Sequence, residues 1–424
     1  MTCPVRSDGD SLHVQRSATS PHMTMADTHS TPRASLAFAA LLAALCLAGA
    51  TACSSEPTMN DDDASDAAHT TDADVDTGAD VELDTDDSEP EDTQDDTGPS
   101  PSEPREIVLF DDTRITSIGG EENFQNATAE FDWGEGPFER VVLTVDLQST
   151  CYPFESWTQP PPGHNWPADC DAFDRNFEFT LDDPQEDGDS PAYEIVRAIT
   201  PFGGPMQFEI DVTHLANHLP GEHRIRVHIT TWSDGAGQVS GSAGGWNVSA
   251  SLHVTEGQPP REVLDIVPLV NHSYRWDTEV APIAFETPPG TTEAFIEYRV
   301  TGHGGAAPDR GACIGPAEEF CRRFHQVLID GRARWIVEPW RDDCHTLCTM
   351  VSTPINHCQE NPCGHPDSVR APRANWCPGD ITPPIIIDVD TLAEPGEHTF
   401  SYFIEDVKEG GSWRVSAVAY FFGD

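Results

Sequence analysis

From about residue 105 onward the chain is a succession of short apolar runs divided by Pro, Gly, Asp and Asn. Arg224-Ile-Arg-Val-His-Ile-Thr230 and Trp246-Asn-Val-Ser-Ala-Ser-Leu-His-Val254 alternate apolar and polar residues with period two. That period gives an extended chain one apolar and one polar face, the signature of a half-buried antiparallel strand. Runs of the same kind predict strands at Val141–Leu147, Phe177–Leu181, Phe208–Val212, Ile225–Ile229, Val248–Val254, Ala294–Val300, Val327–Ile329, Ile385–Val389, Phe400–Ile404 and Val415–Phe422. No stretch keeps helical apolar spacing for three turns, so the fold class is all-β, with strands enough for two sandwiches.

A boundary is expected at Glu256-Gly-Gln-Pro-Pro-Arg261, dividing the folded part into 105–258 and 259–424. The halves share a coarse internal similarity. Ile210-Asp-Val-Thr213, then Pro220-Gly-Glu-His223-Arg-Ile225, recurs as Ile387-Asp-Val-Asp390, then Pro395-Gly-Glu-His398-Thr-Phe400. Two adjacent, related eight-stranded antiparallel jelly rolls would produce this repeat.

The preceding segments read differently. Arg33 leads into the apolar run Ser35 to Ala52, too short and too rich in small residues for a stable membrane span. It ends in Ala50-Thr51-Ala52-Cys53, close to a bacterial lipobox, which predicts a signal segment over 1–53 and lipidation of Cys53; a plain secretory signal is the alternative. Residues 54–104 are dominated by Asp, Glu, Thr, Ser, Pro and Ala and cannot bury enough surface to offset the entropy of ordering, so a disordered acidic linker is expected. Together these predict an exported protein on the bacterial outer membrane or cell surface, with its folded part periplasmic or extracellular and touching membrane through a lipid anchor only.

The formal net charge is −50, and Lys408 is the single lysine. Phosphate binding needs clustered positive charge, so nucleic acid is excluded as partner, whereas a neutral ligand such as a glycan fits. Of the 12 cysteines, those from Cys151 onward lie in the folded part. In an exported protein they read as disulfides, with an odd one left over.

Three motifs set a charged residue beside an aromatic and near a cysteine: Cys170-Asp-Ala-Phe173-Asp174-Arg175, Ala317-Glu318-Glu319-Phe320-Cys321, and Arg373-Ala-Asn-Trp376-Cys377-Pro-Gly379. Such a combination can stack on a sugar and move a proton. In order and spacing they resemble the peptide-N-glycosidase F family, amidases that cleave the link between asparagine and N-linked glycans; the resemblance spans roughly 105–424, and the family's paired jelly rolls agree with the strand pattern. It implies an N-linked glycoprotein or glycopeptide as partner, a monomer and no cofactor. It places the principal catalytic aspartate at Asp174, with Arg175 holding the sugar core and Phe173 standing where the family often has Trp. The second acid is Glu319 when counted back from Phe320-Cys321, and Glu318 when counted forward from Ala317; we take Glu319. In an extended segment these two point opposite ways. Phe320, Arg373, Trp376, Trp232 and His303, in the Thr301-Gly-His-Gly304 loop, are implied substrate contacts. The resemblance also pairs Cys358 with Cys377, alongside Cys151–Cys170 and Cys313–Cys321. One departure matters. Thr230 occupies the position of the family's further glutamate, so Asp234 or another nearby acid must substitute, or the protein is a glycan-binding surface lipoprotein without turnover.

Two metal readings compete. Cys344-His345, Cys348, His357-Cys358, Cys363-x-His365 and Cys377 have a superficial zinc spacing, but an oxidising compartment favours disulfides. A copper-dependent monooxygenase, by analogy with peptidylglycine hydroxylating enzymes of the same paired jelly-roll fold, needs clustered histidines and a methionine ligand; no His-His or His-x-His pair exists, so only fold analogy supports it. No metal is expected.

Overall fold

The computed structural model describes residues 104–151, 160–182, 191–305, 313–352, 356–389, 392 and 394–424. The signal segment, Cys53 and the linker up to residue 103 lie outside the described residues. Among the described residues, no helix is long and apolar enough to cross a membrane.

The first half supplies β1 (Arg105–Thr116), β2 (Asn126–Asp132), β3 (Phe138–Ser149), β4 (Asn176–Leu181), β5 (Tyr193–Ile199), β6 (Met206–Asp211), β7 (Glu222–Ile229) and β8 (Gly245–Glu256). A short helix α1 (Thr213–His218) joins β6 to β7. The second half supplies β9 (Val263–Arg275), β10 (Ile283–Thr287), β11 (Glu293–Gly304), β12 (His325–Ile329), β13 (Arg332–Val337), the two-residue strands β14 (Met350–Val351), β15 (His357–Cys358) and β16 (Asp380–Ile381), then β17 (Ile385–Asp388), β18 (Gly396–Ile404) and β19 (Gly411–Phe422). A second short helix, α2 (Pro366–Arg370), follows β15.

These strands form two jelly-roll sandwiches. In the first, the sheet β1-β8-β3-β6 faces the sheet β16-β5-β4-β7-β2 across a core that includes Phe177, Phe179, Ile225, Val227, Trp246 and Val248. In the second, β17-β11-β19-β9 faces β10-β18-β12-β13 across Ile296, Tyr298, Val327, Phe400, Trp413 and Val415. Every pairing between named strands is antiparallel, and the period-two runs are the reason: each buries alternate apolar side chains between two sheets.

One strand crosses over. β16 belongs to the second half of the sequence but pairs with β5, Asp380 opposite Ile199 and Ile381 opposite Ala198. Beside it the halves share a buried polar seam. Arg197 donates to Glu194 (2.6 and 2.7 Å) and reaches across to the carbonyls of Arg299 (3.1 Å) and Arg414 (2.6 Å). Glu178 on β4 takes a two-pronged ion pair from Arg414 on β19, and Ser416 hydrogen-bonds Glu194. The two arginines hold the Glu178 carboxyl well below its ordinary range despite its burial.

The internal repeat has a structural counterpart. His223, opening β7, bonds Asp182 through Nδ1 (2.7 Å) and the Leu219 carbonyl through Nε2 (2.8 Å). His398, opening β18 after the second Pro-Gly-Glu, bonds Asp330 (3.0 Å) and the Glu394 carbonyl (3.2 Å) in the same way. Both aspartates sit at positive φ, 49° and 54°, and each also caps the backbone N–H of the residue after its histidine.

Candidate functional site

The site is built where the entry to β4 meets the 3-10 turn Glu318–Phe320 and the loop that follows α2. The Cys151–Cys170 disulfide holds the start of the first segment. Directly after it, Asp171 is fully buried and gathers Arg175 (Nε 2.9 Å, Nη2 2.8 Å), Thr231 Oγ1 (2.6 Å) and Trp246 Nε1 (3.3 Å). Sequence reasoning passed over Asp171. The available signal was an acid four residues before an arginine, within reach of a salt bridge. Asp171 fixes the Arg175 guanidinium, which also donates to the Trp232 carbonyl (3.3 Å) and lies 5.3 Å from the centre of the Phe173 ring.

Asp174 lies between Arg175 and the C-terminal half. Burial raises its carboxyl above the ordinary range; Arg373 and Arg175 oppose the shift, and Asp171 adds to it. Glu319, from the other jelly roll, is pushed up to about 7, by burial first and by the Asp174 charge, against the pull of Arg373. Arg373 Nη1 donates to Glu319 Oε1 at 2.9 Å. Asp174, Glu319 and Arg373 therefore feel one another electrostatically, and both carboxyls are raised.

Glu318 and Glu319 do not lie on an extended strand, as the sequence implied, but on the 3-10 turn between Cys313–Cys321 and the core. The turn still separates them. Glu318 points inward, fully buried, to Arg323 (Nε 2.7 Å, Nη2 3.0 Å) and Trp413 Nε1 (3.1 Å). Glu319 points away from that core, with its side chain 24% exposed.

Several expected sugar contacts occupy other roles. Trp376 is 2% exposed, donates to the Gly302 carbonyl (2.8 Å), and is covered by His303 (stacked, 5.4 Å) and Arg373 (4.5 Å). It is a pillar under the site, not a face for a pyranose. Arg373 has no exposed side chain. It is clasped between Phe320 and Trp376 and tied to Ser368 O (2.8 Å) and Oγ (3.1 Å), so it acts through Glu319 rather than by touching a ligand. His303 is half-buried, bonded to Thr301 Oγ1 (2.8 Å), and held neutral, its pKa pushed down to about 3 by burial and neighbouring arginines. Gly302 is required there, because a Cβ would lie 2.7 Å from that of Ala374. Phe173 is half-buried, packed towards the Cys151–Cys170 disulfide and Phe202. Trp232, 48% exposed, keeps a free aromatic surface.

Thr230 follows β7 and pairs through its N–H with the Asn176 carbonyl (3.1 Å), so it flanks the strand that Asp174 leads into. Asp234 does not stand in for the missing carboxylate. Its side chain accepts the backbone N–H groups of Ala236, Gly237, Gln238 and Val239 (2.9–3.1 Å), closing its own loop and lowering its pKa.

The structure forms Cys151–Cys170 and Cys313–Cys321, but Cys358–Cys377 is corrected. Cys377 bonds Cys344, and Cys358 bonds Cys348. β15 places Cys358 opposite Met350, two residues from Cys348, whereas Cys377 follows the buried Trp376 beside Cys344. The zinc-like spacing is thereby consumed by disulfides, and Cys363 is the free cysteine among the described residues.

Residues 271–420 match the family model described as Peptide-N-glycosidase F, C terminal. Among solved structures the chain is similar to peptide-N-glycosidase F, a glycosylasparaginase from Flavobacterium meningosepticum, with 18% identity, TM-score 0.56, and coverage of 76% of this chain and 96% of that one. A structure of peptide-N(4)-(N-acetyl-beta-D-glucosaminyl)asparagine amidase matches with 18% identity and TM-score 0.55 over the same shares of each chain. PNGF-II matches with 18% identity and TM-score 0.57, covering 76% of this chain and 65% of that one. No curated protein matches the chain by sequence.

Proposed function

We propose that the chain is a glycoamidase that hydrolyses the β-aspartylglucosamine amide of N-linked glycans. The observation that carries the reading is the union of Asp174 and Glu319, one from each jelly roll, around the buried guanidinium of Arg373. Amide hydrolysis needs a base for the attacking water and an acid for the departing nitrogen. Asp174, flanked by Arg175 and Arg373, is the base: it takes a proton from water as the oxygen attacks the side-chain amide carbon. Glu319, protonated up to about pH 7, gives a proton to the glycosylamine nitrogen as the C–N bond breaks. The products are an aspartate and a 1-amino sugar. Arg373 orients Glu319, Arg175 faces the sugar core from its anchorage on Asp171, and Trp232 offers the stacking surface.

Thr230 favours a second reading, a surface protein that binds glycan without releasing it, because threonine cannot supply the carboxylate of the family pattern. Incubation of the soluble domain with a denatured glycoprotein, followed by mass measurement, separates the two. Release with conversion of Asn to Asp, lost in Asp174→Asn, supports the amidase; chitobiose binding with no mass change supports the lectin. Full activity in Asp174→Asn would remove the assigned site altogether. We further propose export with a lipid-modified Cys53, which predicts that Cys53→Ser abolishes detergent partitioning.

A further inference from the structure

We infer that Cys363 is a thiol–disulfide exchange partner of Cys151–Cys170, which gives the chain a second covalent form with a disulfide joining its two halves. That form is independent of the glycoamidase reading.

Cys363 is the free cysteine among the described residues, and it lies against a disulfide. Its Sγ and the two sulfurs of Cys151–Cys170 are all within 4.8 Å of one another. Cys151 and Cys170 belong to the first half of the sequence and Cys363 to the second, so the three sulfurs span the boundary. The other disulfides among the described residues, Cys313–Cys321, Cys344–Cys377 and Cys348–Cys358, all lie inside the second half.

The backbone builds this approach. Cys363 donates its N–H to the Phe202 carbonyl (3.0 Å), and the Phe202 N–H donates to Asn361 Oδ1 (2.8 Å). Residues 361–363 of the second half are thereby fixed on the Pro201–Gly204 turn of the first. The turn admits them because it carries no side chain at the contact. A Cβ on Gly203 would overlap Cys363 Sγ, and one on Gly204 would overlap the Glu360 carbonyl oxygen. Trp166, Phe173 and Phe202 belong to the apolar clusters around the sulfurs.

Burial, and to a lesser degree the Asp171 charge, hold the Cys363 thiol protonated well above the ordinary thiol range, so Cys151–Cys170 persists near neutrality. Once Cys363 gives its proton to a base in solvent, its Sγ attacks one sulfur of the pair. A new S–S bond to Cys363 forms as the Cys151–Cys170 bond breaks, and the displaced sulfur leaves as a thiolate that takes up a proton. Attack on Cys151 frees Cys170, and attack on Cys170 frees Cys151. Either product ties residue 363 to the first half. One thiol and one disulfide remain, so no oxidant or reductant is consumed. The exchange reaches the candidate site, because Cys170 directly precedes Asp171, the anchor of Arg175.

The test incubates the purified chain between about pH 7 and about pH 10, quenches it with acid and N-ethylmaleimide, and maps disulfide peptides without reduction by mass spectrometry. Below the thiol pKa each pH unit raises the thiolate about tenfold, so Cys151–Cys363 or Cys170–Cys363 should form about tenfold faster per unit. A protease site placed between Glu256 and Val263 gives a second readout. After cleavage the starting form should run as two bands on a denaturing, non-reducing gel, and the exchanged form as one. Cys363→Ser should give two bands at every pH. Cys151–Cys170 unchanged across the whole range overturns the exchange. So does a Cys363 that pairs as readily with Cys348 or Cys358, which marks general scrambling on unfolding, or one that pairs between chains.

Discussion

Exchanging the two adjacent glutamates separates stability from chemistry. Glu318→Ala removes the acceptor of Arg323 and of the Trp413 indole, and neither can turn to water: the Arg323 side chain is 1% exposed and Trp413 is fully enclosed. Breaking a buried ion pair from one side costs about 3–5 kcal/mol, because a charge held away from water gives up its two-pronged carboxylate. The orphaned indole N–H adds about 1–3 kcal/mol. At about 2–4 °C per kcal/mol for a large domain, Tm should fall by about 10 °C or more. Glu319 is partly exposed and glutamine keeps an oxygen for Arg373, so Glu319→Gln should cost much less stability than Glu318→Ala. It loses the exchangeable proton, so glycan release should collapse while the melt stays near that of the wild type. Thermal unfolding by circular dichroism and glycan release followed by mass spectrometry read the two effects separately. If Glu318→Ala melts with the wild type, or Glu319→Gln unfolds as early as Glu318→Ala does, the assignment of one glutamate inward and the other outward is wrong.

Glu319 should titrate near pH 7 in carboxyl-carbon NMR, and Asp174→Asn should move that titration lower by removing a like charge. Because the folded pKa lies above the unfolded 4.5, the folded chain holds the extra proton, and this group's effect on stability should worsen as pH rises from about 4.5 to about 7, a slope absent in Glu319→Gln. His223 is raised and Asp182 lowered by their mutual bond, so the pair stabilises between their unfolded values of 3.8 and 6.5, its contribution fading as acid protonates Asp182 or as pH climbs through the raised pKa of His223. Asp182→Asn should therefore lower Tm most within that window and converge with wild type above it, as scanning calorimetry across pH would report. Thr230→Glu should raise turnover in single-turnover assays; unchanged or lower turnover, with folding intact, would show that this chain does not need the carboxylate.

Many of the strands were legible in the apolar pattern, and β1, β5 and β9 were missed for identifiable reasons. β1 changes register between Val108 and Phe110 and again before Thr113, with Asp112 at φ 46°, so its bulges break the period-two pattern. β5 is buried on both faces and carries Glu194 and Arg197 inside, where a pattern of polar and apolar residues reads as surface. β9 breaks its ladder around Pro268. At the site, Asp174, Arg175 and Glu319 were singled out because cysteines and aromatics marked them and the family resemblance ran through them. Asp171 was missed because its partners, Thr231 and Trp246, are 60 and 75 residues away. Trp376 was misjudged because its exposure depends on Arg373 and His303, which share its contacts only after folding. The Cys358 pairing failed because two closely spaced cysteines, Cys344 and Cys348, compete for the partners, and only the β14–β15 ladder decides between them.

The strand lent by the second half to the first has a consequence for the chain as a covalent object. β16 is flanked by further ties to the first half: Gly379 donates to Ile199, Thr382 to Arg197, and Asn361 accepts from Phe202. Residues 361–382 are thus stitched to the first jelly roll independently of the connector between Glu256 and Val263. A nick in that connector should leave a tight non-covalent complex with both acids still facing each other. Neither half expressed alone should carry the site: the first would expose the β5 edge that β16 covers, and the second would present Glu319 to solvent without Asp174. Co-expression of the two pieces should restore what each lacks, making the protein a natural candidate for reconstitution from fragments.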